Sequence, residues 1–473
     1  MYLKFATPPS IHLQSRFGLQ RRQRAALAAL CLALAACGGP APKVGEIGAI
    51  GGFLGAAVAE EPRAALVARD ILSAGGTAAD AATAAFFTMT VTYPVAVGLG
   101  GGGMCLYYDH HGNKTETLDF RPVPAAAGGT VAVPGALRGM ALLHSRYGRM
   151  PWAQLVTPAE TRARFGHRIS RALAQRLQLQ AKRLKADATA AALFLHPDGT
   201  ALAEAENLVQ VELASTLTRI RTRGVSDLYG GKAGQQLLQA AATRGSQITI
   251  ADLRRYRAVW RQTVQRSIGN NVLHHPMLGP GDNRAYDLAG LLQEKSMDEA
   301  AAQAFVQDDI ATTHDRGEAA IAVGDSYGSS AACVFQMNGA FGSGAMVANL
   351  GIFLAPSLAT SGAGIGRPAW RGYPMPLLGV NQHVRQTVLA TAGAGGPAGA
   401  LAATAVSLEV MVKGKTLAQA LAAPRVLGQG NAKGAGGGRV QALWCPKGIR
   451  SGPESCQFAS DPRAFGLAAF DKF

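Results

Sequence analysis

The stretch from Ala311 to Gly344 constrains the fold most, because it places two hydroxyl residues just before two strand-like segments. Thr312-Thr313-His314 comes first, the apolar segment Ala319 to Val323 follows, and a turn leads to a second segment ending in Gln336-Met337-Asn338. A threonine ahead of a strand can act as a nucleophile if the bond before it is cut, since its freed α-amine, with an ordinary pKa of about 8, is a built-in general base. The alternative is a threonine pair in an ordinary loop.

The N-terminal 37 residues have the layout of a secretory signal. Four arginines precede the apolar run Ala25 to Ala36, which is too short for a permanent membrane-spanning helix. The run ends in Leu34-Ala35-Ala36-Cys37-Gly38, which resembles a bacterial lipobox. We therefore expect a lipid on Cys37, a flexible tether over residues 38–54, and a protein held on the periplasmic side of a bacterial envelope membrane, with the outer membrane favoured. A plain signal peptide with an incidental cysteine is the alternative.

The net charge does not indicate a nucleic-acid partner. The chain carries a formal charge of +16, and removal of the N-terminal segment, which holds five basic residues and no acid, leaves +11. The remaining excess is spread along the chain without a long Lys/Arg run or interleaved aromatic residues. A solvated basic surface is the simpler interpretation.

Four cysteines remain beyond the N-terminal segment. Cys445 and Cys456 bracket a loop rich in proline and glycine and are candidates for a local disulfide in an oxidising compartment. Cys105 and Cys333 lie in apolar, strand-like runs and are predicted to be buried thiols. The chain has no Cys-x-x-Cys and no paired His spacing, so neither a metal nor a cofactor is predicted.

The segments between residues 56 and 120 predict a strand, two helices and a hairpin. The helix from Ala78 to about Thr90 is apolar on all sides and is expected to be fully buried. Gly98 to Gly103 fits the spelling of a dinucleotide-binding motif, but a helix precedes it and a strand follows it, which is the wrong order. A close approach between two stretches of backbone explains these glycines better. Residues 159–265 are predicted to be mostly helical, and His274-His275 is expected to lie in a solvated loop.

Taken together, these segments resemble the γ-glutamyltransferase (γ-glutamyltranspeptidase) family over about residues 55–265 and 312–465. The residues that carry the resemblance are Ala64 to Ala85, Gly98 to Gly103, Asp119-Phe120-Arg121, Val133-Pro134-Gly135, Arg146 to Pro158, Gln247 to Arg261, Thr312-Thr313-His314, Asn338 to Gly344, Gly395-Gly396, Pro424-Arg425 and Ser460 to Arg463.

The resemblance implies an α/β fold, the four-layer αββα sandwich of N-terminal-nucleophile hydrolases, with an additional helical portion. It also implies self-cleavage between Ala311 and Thr312. Residues 55–311 would then correspond to a large subunit and residues 312–473 to a small subunit, and the two would stay associated. The expected reaction is hydrolysis or transfer of a γ-glutamyl group from a glutathione-like compound.

The same resemblance assigns roles to individual residues. Thr312 would be the nucleophile, with Thr313 as its neighbour. Gly395 and Gly396 would donate backbone N–H groups to the tetrahedral oxyanion. Arg121 would hold the substrate α-carboxylate, and Asn338, with Gln336 two residues before it, would contact the glutamyl group.

Several departures from the family pattern leave two placements of the nucleophile open. Counting back from Asn338 without gaps puts it at Glu318-Ala319-Ala320, whereas Thr312 requires six extra residues. Where the family has a serine or threonine two residues before the asparagine, this chain has Gln336. The acidic residue that the family has after the strand near Leu354 is absent from Ala355 to Leu358. The two hypotheses are therefore an envelope-anchored γ-glutamyl hydrolase or transferase and a catalytically silent lipoprotein that binds a small amino-acid ligand or an envelope partner.

Overall fold

The computed structural model describes residues 52–277, 284–294, 316–358, 374–425 and 438–471. The predicted lipid site Cys37 and the predicted cleavage and nucleophile residues Ala311, Thr312 and Thr313 lie outside these ranges. The predicted domain boundaries at residues 37, 54 and 311 therefore stay predictions. Within the described ranges, no helix has the length and apolar character needed to cross a bilayer.

The strands begin and end at the following residues. They are, in chain order, β1 (Gly55–Ala59), β2 (Gly102–Asp109), β3 (Lys114–Asp119), β4 (Val123–Pro124), β5 (Ala132–Val133), β6 (His167–Arg168), β7 (Asn207–Leu208), β8 (Val259–Arg261), β9 (Thr263–Ile268), β10 (Asn271–Pro276), β11 (Glu318–Asp325), β12 (Ser330–Gln336), β13 (Met346–Val347), β14 (Ile352–Phe353), β15 (Met375–Asn381), β16 (Gln386–Ala394), β17 (Arg439–Trp444), β18 (Gln457–Ser460) and β19 (Leu467–Phe470).

The described ranges also contain the following α-helices. They are α1 (Pro62–Ser73), α2 (Ala78–Thr92), α3 (Ala136–Tyr147), α4 (Trp152–Phe165), α5 (Arg171–Leu184), α6 (Ala188–Phe194), α7 (Val211–Arg223), α8 (Ser226–Gly230), α9 (Lys232–Ala242), α10 (Ile250–Arg255), α11 (Arg284–Glu294), α12 (Pro397–Met411) and α13 (Leu417–Ala422).

Two antiparallel sheets form the centre of the molecule. The first contains seven strands in the order β19-β1-β11-β12-β2-β3-β8, and the second contains six in the order β18-β17-β16-β15-β10-β9. Strands from before and after residue 311 are neighbours in the first sheet, since β1 pairs with β11 and β2 pairs with β12. Two fragments cut at residue 311 would therefore remain joined by backbone hydrogen bonds.

Three apolar layers show that the two sheets lie between helices. In β11, Ala319 and Ile321 face the layer shared with α1 and α2, whereas Ala320 and Ala322 face the layer between the sheets. A third layer joins the outer face of the second sheet to α11, α12 and α13. The predicted αββα sandwich is thereby confirmed.

The predicted helical portion is also present. Helices α4 to α10 contribute residues such as Leu155, Leu173, Leu217 and Leu237 to the apolar layer of the first sheet. Helix α2 is buried along its entire length, as its uniformly apolar sequence predicts. Its first turn is closed by a capping box between Thr77 and Asp80.

The cysteine predictions are half right. Cys445 and Cys456 form the predicted disulfide. The prediction of buried thiols at Cys105 and Cys333 is wrong, because these residues are bonded to each other. They lie directly opposite one another in the register of β2 and β12, so antiparallel pairing brings their side chains to the same place.

The prediction of a solvated loop at His274-His275 is also wrong. Both residues lie in β10 and are buried, with exposed fractions of 2% and 0%. Burial lowers the pKa of His274 to about 4 and, together with the charges of Arg266 and His274, that of His275 to about 3. The hydroxyl of Thr115 lies 3.3 Å from Nε2 of His274, and the hydroxyl of Thr263 lies 2.8 Å from Nδ1 of the same ring.

Candidate active site

Most of the predicted site residues that the structure describes lie at one end of the first sheet. Glu318 opens β11 and pairs with Gln336 of β12, which pairs with Gly102 of β2. Backbone hydrogen bonds between Gly103 and Phe120 then place Arg121 next in the row. With strands about 4.8 Å apart, this row spans about 14 Å. We call it the active-site edge.

Arg121 is held at this edge by a carboxylate. Its Nε and Nη2 donate to Asp119 Oδ1 and Oδ2 at 2.8 and 2.6 Å, and its side chain is 2% exposed. Burial acts to raise the pKa of Asp119, but the hydrogen bonds and charge of Arg121 outweigh it, and the pKa is lowered. The fork of Arg121 is therefore preorganised by Asp119, whereas its contact with a substrate stays a prediction.

Gln336 and Asn338 contact each other, as two residues with a shared ligand would. Gln336 Nε2 donates to Asn338 Oδ1 at 3.1 Å, and Asn338 Nδ2 donates to the carbonyl oxygen of Pro356 at 3.0 Å. Asn338 has a left-handed backbone with φ of +56°, a conformation that asparagine tolerates better than most residues. Pro356 belongs to the segment Ala355 to Leu358, which lacks the acid expected from the family. This segment is thus hydrogen-bonded directly to the predicted substrate-binding pair.

Gly395 and Gly396 form the turn between β16 and α12. Their φ angles of +116° and +65° suit glycine, and both amides point toward one place at the start of the helix. The N–H groups of Gly395 and Gly396 donate to the same carboxylate oxygen, Oε2 of Glu318, at 2.9 and 2.6 Å. The predicted oxyanion donors therefore do converge, and an oxygen of the chain itself occupies their common point.

Glu318 is fully enclosed by this arrangement. Its burial raises the pKa of the carboxyl group, although the two glycine amides and the nearby charges of Arg316 and Arg439 act in the opposite direction. Arg439 donates to the backbone carbonyl of Glu318 at 3.2 Å and also to Glu60 at 2.9 Å. Neither Arg439 nor Glu60 was predicted as part of a site. The sequence signal that could have revealed them is an acidic residue at the end of a buried strand.

Ungapped counting puts the nucleophile in the segment Glu318-Ala319-Ala320, at Ala319, and within this segment the Glu318 carboxylate is the group that contacts the glycine turn. Ala319, the next residue, faces the helical layer and not the glycine turn. The sequence left two placements of the nucleophile open. It did not predict that the Glu318 carboxylate accepts hydrogen bonds from both glycine amides. Thr312 lies outside the described residues, so its nucleophilic role stays a prediction.

Two other motifs of the resemblance serve the fold. Asp461 forms ion pairs with Arg425 and Arg463, and it also accepts a hydrogen bond from the backbone N–H of Val440 in β17. These contacts join the end of α13 to the second sheet. Across the described ranges, no group of three or more His, Cys, Asp or Glu side chains is arranged to hold a metal ion.

Comparison with known proteins supports the resemblance. A profile described as Gamma-glutamyltranspeptidase matches residues 64–282, which are 219 of the 473 residues. Over this part the chain is similar to the γ-glutamyltranspeptidase family. Its relatives include the glutathione hydrolase proenzyme of Pseudomonas aeruginosa, 32% identical over 271 residues that cover 50% of this chain and 47% of that protein. Acylase ACY 1 proenzyme of Pseudomonas sp. strain SE83 is 34% identical over 245 residues, covering 46% and 43%.

A solved structure resembles this chain over nearly its whole length. The cephalosporin acylase of Bacillus halodurans superposes with a TM-score of 0.74, covering 92% of this chain and 98% of the acylase, at 20% sequence identity. This likeness supports the αββα fold. By sequence, however, the chain spans only about half the length of the curated relatives it matches.

Proposed function

We propose that this protein is a γ-glutamyl amide hydrolase or transferase that acts on glutathione-like compounds and exposes Thr312 as its nucleophile by self-cleavage after Ala311. The convergence of the Gly395 and Gly396 amides on one oxygen carries the proposal. Attack of a hydroxyl on an amide carbonyl produces a tetrahedral oxyanion, which needs two donors at about 2.7–3.1 Å. The relatives named glutathione hydrolase and acylase proenzymes support the same class of reaction.

In this proposal Glu318 keeps the uncleaved chain closed. Its Oε2 stands where the oxyanion of the reaction would bind, so substrate and Glu318 compete for the same two amides. Hydrogen bonds to a charged acceptor each contribute about 1.5–3 kcal/mol. Glu318 must therefore leave the glycine turn before the amide group of a substrate can react there.

A catalytically silent, ligand-binding protein is the second candidate function. The observation that favours it is the same carboxylate, because Glu318 belongs to the segment Glu318-Ala319-Ala320 to which ungapped counting assigns the nucleophile. No residue of that segment has a hydroxyl to attack an amide, and the Glu318 carboxylate occupies the two glycine amides. Arg121, Gln336 and Asn338 would then bind a small amino-acid ligand without turnover.

Processing and turnover of the purified chain distinguish the two candidates. A reducing, denaturing gel of the wild type should show two fragments, with N-terminal sequencing of the smaller one starting at Thr312, and the protein should release the chromophore from a γ-glutamyl anilide. Thr312→Ala should abolish both, and Thr222→Ala, at an exposed threonine of α7 outside the predicted site, serves as the matched control that still cleaves. One intact chain without chromophore release would support the silent protein.

Replacing Glu318 gives an independent measurement on the mature enzyme. Glu318→Ala removes the competing carboxylate, and we expect kcat/KM for the anilide to rise about tenfold, the equivalent of about 1.4 kcal/mol. A fall in kcat/KM with unchanged processing would show instead that Glu318 assists the reaction, and the closed-state part of the proposal would be abandoned.

A further inference from the structure

A second cavity lies at the opposite end of the first sheet from the active-site edge. It has a volume of about 260 Å³ and lies between the β2–β3 turn, the β11–β12 turn and the residues that follow α3. Asp325 and Glu318 are the last and first residues of β11. At about 3.3 Å per residue they are about 23 Å apart, so the cavity is separate from the predicted catalytic groups.

Arg149 presents a cation to this cavity. Its guanidinium lies 4.6 Å from the centroid of the Tyr327 ring, and its Nη2 lies 3.1 Å from Nε2 of His111. The guanidinium of Arg149 forms no ion pair with any acid of the described residues, whereas neighbouring Arg146 is paired with Glu116 at 2.7 Å. The backbone N–H of Arg149 donates to Asp80 at 2.9 Å, which holds the loop in place.

Asp109 presents an anion to the same cavity. Its two carboxylate oxygens accept hydrogen bonds from the backbone N–H groups of His111 and Gly112, at 3.2 and 3.0 Å. No Lys or Arg in the described part of the chain lies within ion-pair distance of it. The other acid of the cavity, Asp325, is occupied by the backbone N–H groups of Ala78, Tyr327 and Ser329 and shapes the turn.

The cavity therefore contains one cation and one anion that form no ion pair with each other or with another described side chain, although Arg149 also contacts His111 and Tyr327. Opposite charges held apart across a small space are complementary to a ligand that carries both charges. The volume is below the roughly 300–1,000 Å³ of pockets for drug-sized ligands, which suits a compact metabolite. We propose that this cavity binds a free amino acid as its zwitterion, with the carboxylate on Arg149 and the ammonium group on Asp109.

Calorimetric titration of the full chain with each of the twenty standard L-amino acids tests the proposal. At least one should bind, and its two analogues that lack either the amine or the carboxylate should bind at least tenfold more weakly. Failure of all twenty to bind would overturn the proposal, as would equal binding of the amino acid and both analogues.

Two variants locate the binding. Arg149→Gln and Asp109→Asn should each weaken binding of that amino acid at least tenfold, whereas Arg168→Gln, an exposed arginine on β6 that does not line the cavity, should leave it unchanged. Both substitutions are at solvent-accessible positions, and circular dichroism checks that the variants fold. Unchanged affinity in Arg149→Gln would place the ligand elsewhere, for example at the active-site edge, and would overturn the assignment independently of the proposed catalytic function.

Discussion

Glu318 is buried at the start of β11, and one of its carboxylate oxygens accepts hydrogen bonds from both amides of the Gly395–Gly396 turn. Because burial raises the pKa of this group, the folded chain binds a proton there more readily than the unfolded chain does. Glu318 therefore contributes stability at low pH that is lost as the pH rises above its ordinary pKa of 4.5 and through the raised value.

His275 makes the opposite contribution to the dependence of stability on pH. Its pKa is about 3 in the folded chain and 6.5 as an ordinary value, so the unfolded chain binds the proton first as the pH falls. The stability that neutral His275 provides is complete above pH 6.5 and is lost between pH 6.5 and about 3.

Replacement of His275 by leucine should reduce this dependence. Between pH 7.5 and 5.0 we expect the wild type to lose about 2 kcal/mol more of its free energy of unfolding than His275→Leu does. Urea unfolding of both proteins at the two pH values measures the difference. Parallel losses in the two proteins would show that His275 titrates normally and is not buried as described.

At the scale of elements, glycines determine how closely the strands of the active-site edge approach their neighbours. A Cβ atom on Gly100 would lie 2.0 Å from the carbonyl oxygen of Phe353, and one on Gly103 would lie 2.4 Å from that of Val334. The interpretation of Gly98 to Gly103 as a site of close backbone approach is therefore confirmed. The loop brings the Leu354–Pro356 segment beside β2, where Pro356 accepts the hydrogen bond from Asn338.

The disulfide between Cys105 and Cys333 joins β2 to β12 over a separation of 228 residues, whereas that between Cys445 and Cys456 spans 11. In the chain-entropy account, the longer loop restricts the unfolded chain more. In the uncleaved Thr312→Ala chain, where the longer loop stays closed, replacing Cys105 and Cys333 by alanine should lower the free energy of unfolding by about 5 kcal/mol, and replacing Cys445 and Cys456 by about 3 kcal/mol.

Urea unfolding of the two double variants measures this order, and equal losses would contradict the loop-length explanation. A gel adds a second measurement if the chain is cleaved at Ala311. The wild type should then run as one species without reductant and as two fragments with it, because Cys105 and Cys333 lie on either side of the cut. Separation of wild-type fragments without reductant would show that this disulfide is absent.

At the scale of the whole molecule, we propose that a lipid on Cys37 anchors the protein to a bacterial envelope membrane. The two disulfides in the described ranges agree with an oxidising compartment outside the cytosol. In a bacterial host, the wild type should sediment with the membrane fraction and Cys37→Ala should be released from it, because no acyl chain would remain to hold it. Cys31→Ala, inside the same apolar run, is the matched control and should stay membrane-bound; an unchanged distribution of Cys37→Ala would rule out the anchor.

Local patterns were enough to predict much of the architecture. The uniformly apolar run of α2 predicted a buried helix, and the segments that form β2 and β3 predicted a hairpin. Each of these conclusions depends on residues close together in the sequence, where backbone conformation and side-chain polarity act directly. The order of several such segments was also enough to indicate the family.

Contacts between distant segments were decided only by the tertiary structure. Cys105 meets Cys333 because β2 and β12 adopt one register among several possible ones, and His275 is buried because β10 joins the second sheet. Glu318 reaches Gly395 and Gly396, 77 and 78 residues away, only where the two sheets stack. The sequence itself determined many of the elements and the family resemblance, and the packing of one sheet on the other decided which atom contacts the amides of Gly395 and Gly396, because that distance depends on the entire core.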